Sequence, residues 1–207
     1  MNAPRTMIEP ATLAGLVVAR MCHDIVSPLG AIGNGIELLE MAMPAQGQSG
    51  ELALITDSLG AMQARISTFR LAFGLARGEQ RMARGDLRQL LAGASARLRV
   101  DLEAEGDLSR GEAKMILLGV MCLESALPWG GRVLVCRGGP GWRLVAEATR
   151  TRRDDGLWGW LDGAAHDLDR PQPLPAEVQF PLLAAECRAR GRALTWEVDD
   201  TGAEIAF

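Results

Sequence analysis

Residues 51–73, ELALITDSLGAMQARISTFRLAF, carry Leu52, Ile55, Leu59, Met62, Ile66, Phe69 and Phe73 at strictly alternating spacings of three and four. A 3.5-residue period held over three heptads predicts a helix of a bundle or coiled coil. Upstream, Ala14, Val18, Met21, Ile25, Pro28, Ile32, Ile36 and Leu39 recur every three or four residues, which predicts a first helix from about Ile8 to Met43. Between them, MPAQGQSG (43–50) is turn material. Two amphipathic helices joined by a short loop form an antiparallel hairpin. A hairpin alone covers one side of each stripe. The remainder needs the following domain or a second copy of the hairpin, and a homodimer built on a four-helix bundle is expected.

The chain has 207 residues, 48% hydrophobic and 23% charged, with a net charge of −4. This is ordinary globular composition, and it excludes a disordered tail, a rod and a global basic field for nucleic acid. The N-terminal MNAPRTMIEP has no apolar core, and no apolar run approaches the ~20 residues needed to span a bilayer, so a cytoplasmic protein without a membrane partner is expected. Cys22, Cys122, Cys136 and Cys187 form no C-x-x-C pair and read as buried free thiols. Imidazole chemistry has two candidates, His23 and His166. No clustered ligand set predicts a metal.

Arg77-Gly78-Glu79-Gln80-Arg81 breaks the helical pattern, which divides the chain into 1–78 and 79–207. The second part reads as mixed α/β. Expected elements are a short strand at Arg81–Arg84, a helix capped by Asp86 to about Arg97, and a strand at Leu98–Leu102. A Ser109/Glu112 capping box then opens a helix to about Leu127. Hairpin strands Gly131–Arg137 and Trp142–Thr149 follow, then a helix from Pro175 to Arg190, stopped by Gly191. Strands Ala193–Val198 and Glu204–Phe207 close the chain across Asp199–Gly202. Val178, Phe180, Leu182 and Leu183 are expected to pack the last helix on the sheet, and the five tryptophans read as core or interface residues.

At ~100° per residue, Met21, Ile25 and Ile32 lie about 160–180° round the first helix from His23. Ala19, Arg20, Ser27, Gly30, Asn34 and Glu37 share its side. The imidazole therefore faces away from the apolar stripe, among small and polar neighbours. Gly30 and Gly33 cost roughly 1 kcal/mol each within a helix, and Pro28 removes the N–H that would bond the Asp24 carbonyl. Either small residues here admit another backbone, or bundle packing tolerates their cost. Asp24 can accept a ring N–H, set the tautomer and raise the nucleophilicity of the other nitrogen, which can take a phosphoryl group. Ser27 can orient a water or an acceptor. Each is also an ordinary solvated polar residue.

Cys22-His23-Asp24-Ile25-Val26-Ser27-Pro28-Leu29-Gly30-Ala31-Ile32, continued by Asn34-Gly35-Ile36-Glu37-Leu38-Leu39-Glu40, resembles the phosphoacceptor box of ChpT-type histidine phosphotransferases of alphaproteobacteria. It is similar, more distantly, to the H-box of dimeric histidine kinases. The C-terminal half resembles the family through its element order and segments such as Ala126-Leu127-Pro128-Trp129-Gly130-Gly131. The resemblance implies a dimeric four-helix bundle followed by a degenerate kinase-like ATP-binding domain of the Bergerat type. It implies a phosphorelay in which His23 is the phosphoacceptor and Asp24 its acid/base and orienting partner. Receiver domains of response regulators and of a hybrid histidine kinase would dock beside His23, with Arg20, Ser27, Gly30, Asn34 and, from the second helix, residues near Arg65 and Arg70 as contacts. The receiver would bring its own Mg²⁺.

A related kinase uses an Asn-bearing helix and D-x-G-x-G and G-x-G boxes. The corresponding helix, Arg110–Leu127, has no asparagine, and Asp154-Asp155-Gly156-Leu157-Trp158 is the nearest string. Gly138-Gly139-Pro140-Gly141 reads as a hairpin turn, so no ATP binding and no autophosphorylation are expected. Alternatives are a receiver-binding pseudo-kinase scaffold and a phosphatase that uses Ser27 against the receiver acyl phosphate. A hydrolase built on His23 lacks a G-x-S-x-G elbow. His166 reads as a surface residue. Arg77, Arg81, Arg84 and Arg88 read either as a solvated face or as a contact for an acidic receiver surface.

Overall fold

A computed structural model of the chain describes residues 10–42, 50–74, 80–95, 97–139, 141–162 and 173–207. The chain falls into two compact units, Met1–Leu75 and Ala76–Phe207. In the first, helix α1 (Pro10–Ala42) lies against helix α2 (Gly50–Ala72). α1 has 33 residues and is therefore about 50 Å long, whereas the few residues joining it to α2 reach only about 25 Å, so the two helices run antiparallel. Leu29 and Ile36 of α1 are buried in the hairpin. Gly33 between them lets α2 approach, since a Cβ there would lie 3.2 Å from a Leu59 methyl. The hairpin matches the periodicity; of the expected turn at 43–50 only Gly50 is described, as the first residue of α2, and of the expected break at 77–81 residues 77–79 lie outside the described residues.

The second unit opens with strand β1 (Arg81–Met82) and helix α3 (Arg84–Ala94). Strands β2 (Leu98–Leu102) and β3 (Leu108–Ser109) precede helix α4 (Arg110–Ala126). Strands β4 (Gly131–Gly138) and β5 (Gly141–Glu147) form the expected hairpin. A short helical turn, α5 (Asp155–Trp158), helix α6 (Gln179–Ala189) and strands β6 (Thr195–Val198) and β7 (Gly202–Ala206) complete it. β1 pairs antiparallel with β3, and the main sheet has the order β2-β4-β5-β7-β6. Among the described strands of this sheet only the β2–β4 pair is parallel, so the sheet is mixed.

Several boundaries differ from expectation for physical reasons. Asp86 does not cap α3: the cap is Ala83 without a side-chain bond, and Asp86 sits inside the first turn, where a carboxylate still favours the helix N-terminus. Pro175 opens a separate 3₁₀ turn, Pro175–Glu177, before α6 starts at Gln179. Pro181 then falls in the first turn of α6, where N–H groups lack helical partners anyway. Phe180 and Leu183 are buried, but α6 packs chiefly on α4 and the turn Gly159–Asp162, not on the sheet as expected. α4 is consequently sandwiched between the sheet (β5 and β7) and α6, which is why Ala113–Val120 are buried without interruption. Gly119 permits this closeness: a Cβ there would come within 2.7 Å of Leu144 on β5.

Glu112 ties the start of α4 to the sheet. The capping box is present, with the Ser109 hydroxyl accepting from the Glu112 N–H at 3.1 Å and the Ser109 N–H donating to Glu112 Oε2 at 3.2 Å. Glu112 Oε1 also accepts from Arg137 at 3.0 Å and from the Trp142 indole N–H at 3.1 Å. Burial pushes this carboxyl up, but the bonds from Trp142 and Ser109 and the Arg137 charge outweigh burial and hold it below the ordinary carboxylate value. Its stabilisation is therefore full above the ordinary value and is lost as pH falls through the lowered one. Glu112→Gln is expected to cost about 1–3 kcal/mol at neutral pH and to flatten the acid limb of the stability curve, as read by urea unfolding between neutral and acid pH.

Candidate functional site

His23 lies on α1 within the hairpin, a turn before the Pro28-Leu29-Gly30 segment. The side chains of Arg20, Cys22, His23, Asp24, Ser27 and Pro28 lie outside the described set; their backbone is helical. Of the other expected site residues, Gly30 is half-buried and Asn34 is exposed, as is Glu37 one turn on. Arg65 and Arg70 on α2 are exposed. A Cβ at Gly30 or Gly35 would meet nothing within 4 Å, so the chain's own packing does not require glycine at either.

The exposed apolar residues show what the hairpin leaves uncovered. On α1 these include Ile25, Ile32 and Leu39, seven residues apart; on α2 they include Ile55, Met62 and Phe69, with the same spacing. All six are 39–56% exposed. The alternating members of the α2 repeat, Leu52, Leu59, Ile66 and Phe73, are half-buried. Each helix thus directs one flank of its stripe inward and one outward. The flank of the α1 stripe that carries Ile25, Ile32 and Leu39 is the one that the hairpin leaves solvent-facing.

In the second unit, the strings compared with nucleotide boxes have structural roles. Asp154 caps α5 through a 3.1 Å bond from the Leu157 N–H, and Leu157 and Trp158 are buried. Trp158 meets Phe180 edge-on at 5.4 Å and Trp196 at 5.3 Å. The face of α4 turned from the sheet is closed by α6, where Lys114, the one lysine of the chain, reaches Glu186 at 2.5 Å. Gly138 and Gly141 pair across the β4–β5 hairpin. The same holds at the last hairpin, where the backbone N–H groups of Thr201 and Gly202 hold the Asp199 carboxyl below its ordinary value.

Arg81, Arg84 and Arg88 are exposed, as a solvated face requires, and they also make backbone contacts. Arg81, Arg84 and Arg88 donate to the backbone carbonyls of Asp107, Ala104 and Leu102, strapping the β2–β3 connection onto α3 and β1. Three-to-four residue spacing with three arginines was the signal available for this clamp. Cys122 and Cys187 are buried, and burial raises both thiols, Cys187 to about 12; Cys136 is only half-buried. His166 and Arg77 lie outside the described residues. Among the described residues no cluster of His, Cys, Asp or Glu forms a metal site, and no helix is long and apolar enough to cross a membrane.

A helical hairpin bearing one histidine, followed by a mixed sheet with its helices layered over α4, defines a helical plus α/β class of protein. The model for the histidine phosphotransferase C-terminal domain matches residues 83–202, more than half of the chain, and the chain belongs to that family. It is 34% identical over 142 residues to the protein phosphotransferase ChpT of Brucella abortus (strain 2308), a match that spans 65% of this chain and 65% of that relative. In fold it is similar to a bacterial phosphotransferase solved at 1.7 Å, with a TM-score of 0.62 at 24% identity over 97% of this chain and 98% of that one. It is also similar to full-length ShkA in complex with AMPPNP, with a TM-score of 0.51 at 16% identity over 94% of this chain and 45% of that one.

Gly30→Ala and Gly35→Ala are expected to stabilise α1 by up to about 1 kcal/mol each, because the added methyls meet open space. Thermal unfolding of the purified chain checks this as a raised midpoint.

Proposed function

We propose that this chain is a histidine phosphotransferase of a phosphorelay, passing a phosphoryl group between receiver-domain aspartates through His23. The observation that carries the reading is the His-Asp-x-x-Ser-Pro string on a long hairpin helix in a chain that belongs to the histidine phosphotransferase family. The name of the Brucella relative supports the same activity.

In this reading a neutral imidazole nitrogen of His23 attacks the phosphorus of a receiver's acyl phosphate. The new P–N bond forms as the P–O bond to the receiver aspartate breaks, and the aspartate leaves as carboxylate. Asp24 accepts the N–H of the other ring nitrogen and stabilises the charge that the ring gains. The rest of the catalysis is positioning and charge neutralisation, with Mg²⁺ brought by the receiver. Arg20, Ser27, Gly30 and Asn34, on the His23 side of α1, form the docking surface. The open space at Gly30 suits the close approach of a partner backbone.

The outward seam of Ile25, Ile32, Leu39, Ile55, Met62 and Phe69 is covered by a second copy of the hairpin, giving a four-helix bundle. Matching seven-residue spacing on both helices supports this arrangement. The second unit is a kinase-like ATP-binding fold without nucleotide, a reading supported by the capping role of Asp154 and the closure of α4 by α6. The protein acts in the cytoplasm with no bound cofactor.

His23→Ala is expected to abolish transfer from a phosphorylated receiver while the dimer persists. Persistence of transfer in that variant overturns the relay, and labelling of the wild-type chain by ATP alone overturns the loss of kinase activity. Ile32→Asp combined with Met62→Asp is expected to yield a monomer in light scattering at micromolar concentration; an unchanged mass contradicts the bundle.

A further inference from the structure

Trp129 is the outlier among the tryptophans. Trp142 and Trp158 are fully buried, whereas Trp129 is 53% exposed. Among the described residues of the second unit, its only exposed large apolar companion is Leu174, which lies close to residues outside the description. The indole does not serve the core, yet it is held firmly. It sits in the turn from α4 to β4, where the Gly130 N–H bonds Leu127 O at 3.0 Å and the Gly131 N–H bonds Arg97 O at 3.3 Å. Gly130 takes φ +94°, a conformation that side-chain-bearing residues rarely adopt, and a Cβ there would press on Arg97 O at 2.9 Å. Arg97 also donates to Pro128 O at 3.3 Å, and the Arg152 N–H bonds Ala126 O at 2.8 Å.

Arg150 lies over this indole, with its guanidinium carbon 3.6 Å from the ring centroid. Arg97 binds the same turn through the Pro128 carbonyl. Among the described residues neither guanidinium is paired with a carboxylate. Among the described residues, two guanidiniums without a carboxylate partner thus lie on the turn that carries this exposed indole. Trp and Arg in such a setting are the residue types that dominate binding energy at protein interfaces, and a rigid anchor loses little entropy on docking.

We infer that Trp129, with Arg150 and Arg97, is a docking anchor on the second unit for an acidic protein surface. Carboxylates of the partner pair with the two guanidiniums, and an apolar group covers the indole's exposed surface. Within the relay reading above, on which this inference rests, the acidic surface belongs to a receiver domain.

The test measures the affinity of a purified receiver domain for the full-length chain, together with the transfer rate at saturating receiver. Trp129→Ala is expected to weaken binding ~30-fold. Arg150→Glu is expected to weaken it at least as much and to reduce its salt dependence. Arg150→Lys keeps the charge and loses the guanidinium, so it falls between. The transfer rate at saturation stays at the wild-type value in all three. Wild-type affinity in both Trp129→Ala and Arg150→Glu overturns the anchor while leaving the relay intact. Transfer that survives in His23→Ala, with Trp129→Ala still weakening binding, overturns the relay and leaves the anchor standing. A wild-type chain that binds no receiver domain overturns the anchor as assigned.

Discussion

A two-helix hairpin has two apolar stripes and only one internal interface. That constraint governs the first unit. α1 and α2 meet through Leu29, Gly33, Ile36 and Leu59, and each stripe is wide enough that its other flank faces solvent. The uncovered flanks keep a seven-residue spacing, the repeat that lets helices from two hairpins interlock. His23 is set on the opposite side of α1 from that seam.

In the second unit the deciding interaction is the sandwiching of α4. Gly119 brings it onto β5, Glu112 fastens its first turn to Ser109, Arg137 and Trp142, and α6 closes its outer face through Lys114 and Glu186. A helix buried on both sides leaves its flanking strings to structural work. Asp154 caps a helical turn, and Trp158 fills core. What the unit offers outward is then its exposed side chains, among them Trp129 beneath Arg150.

Much of this architecture was legible in the sequence because its determinants are local. The 3-4 alternation of α2, the Ser109/Glu112 box and the Asp199–Gly202 turn each depend on residues a few positions apart, and each is present. What was not legible depends on long-range partners. The parallel β2–β4 pairing, the seating of α6 on α4, and the arginine clamp on residues 102–107 bring together segments that no local pattern relates. Asp86 shows the limit of local rules, since the strand entering at Arg81–Met82 fixes where α3 begins. Periodicity likewise reports which residues are apolar and not which flank of a stripe the hairpin covers: Ile25 and Ile32 lie on the uncovered one. For the site itself, the residue types, their shared helix side and the long hairpin helix were legible in the sequence, and the structure adds the open space at Gly30.

Locating the phosphoryl group tests the central claim most directly. The chain is incubated with a phosphorylated receiver domain, and the labelled peptide is mapped by mass spectrometry under conditions that preserve acid-labile phosphoramidates. The account predicts a single phosphorylated site, His23, with loss of the label on mild acid treatment. Phosphorylation at another residue, or no transfer to the chain from any receiver domain tried, contradicts it.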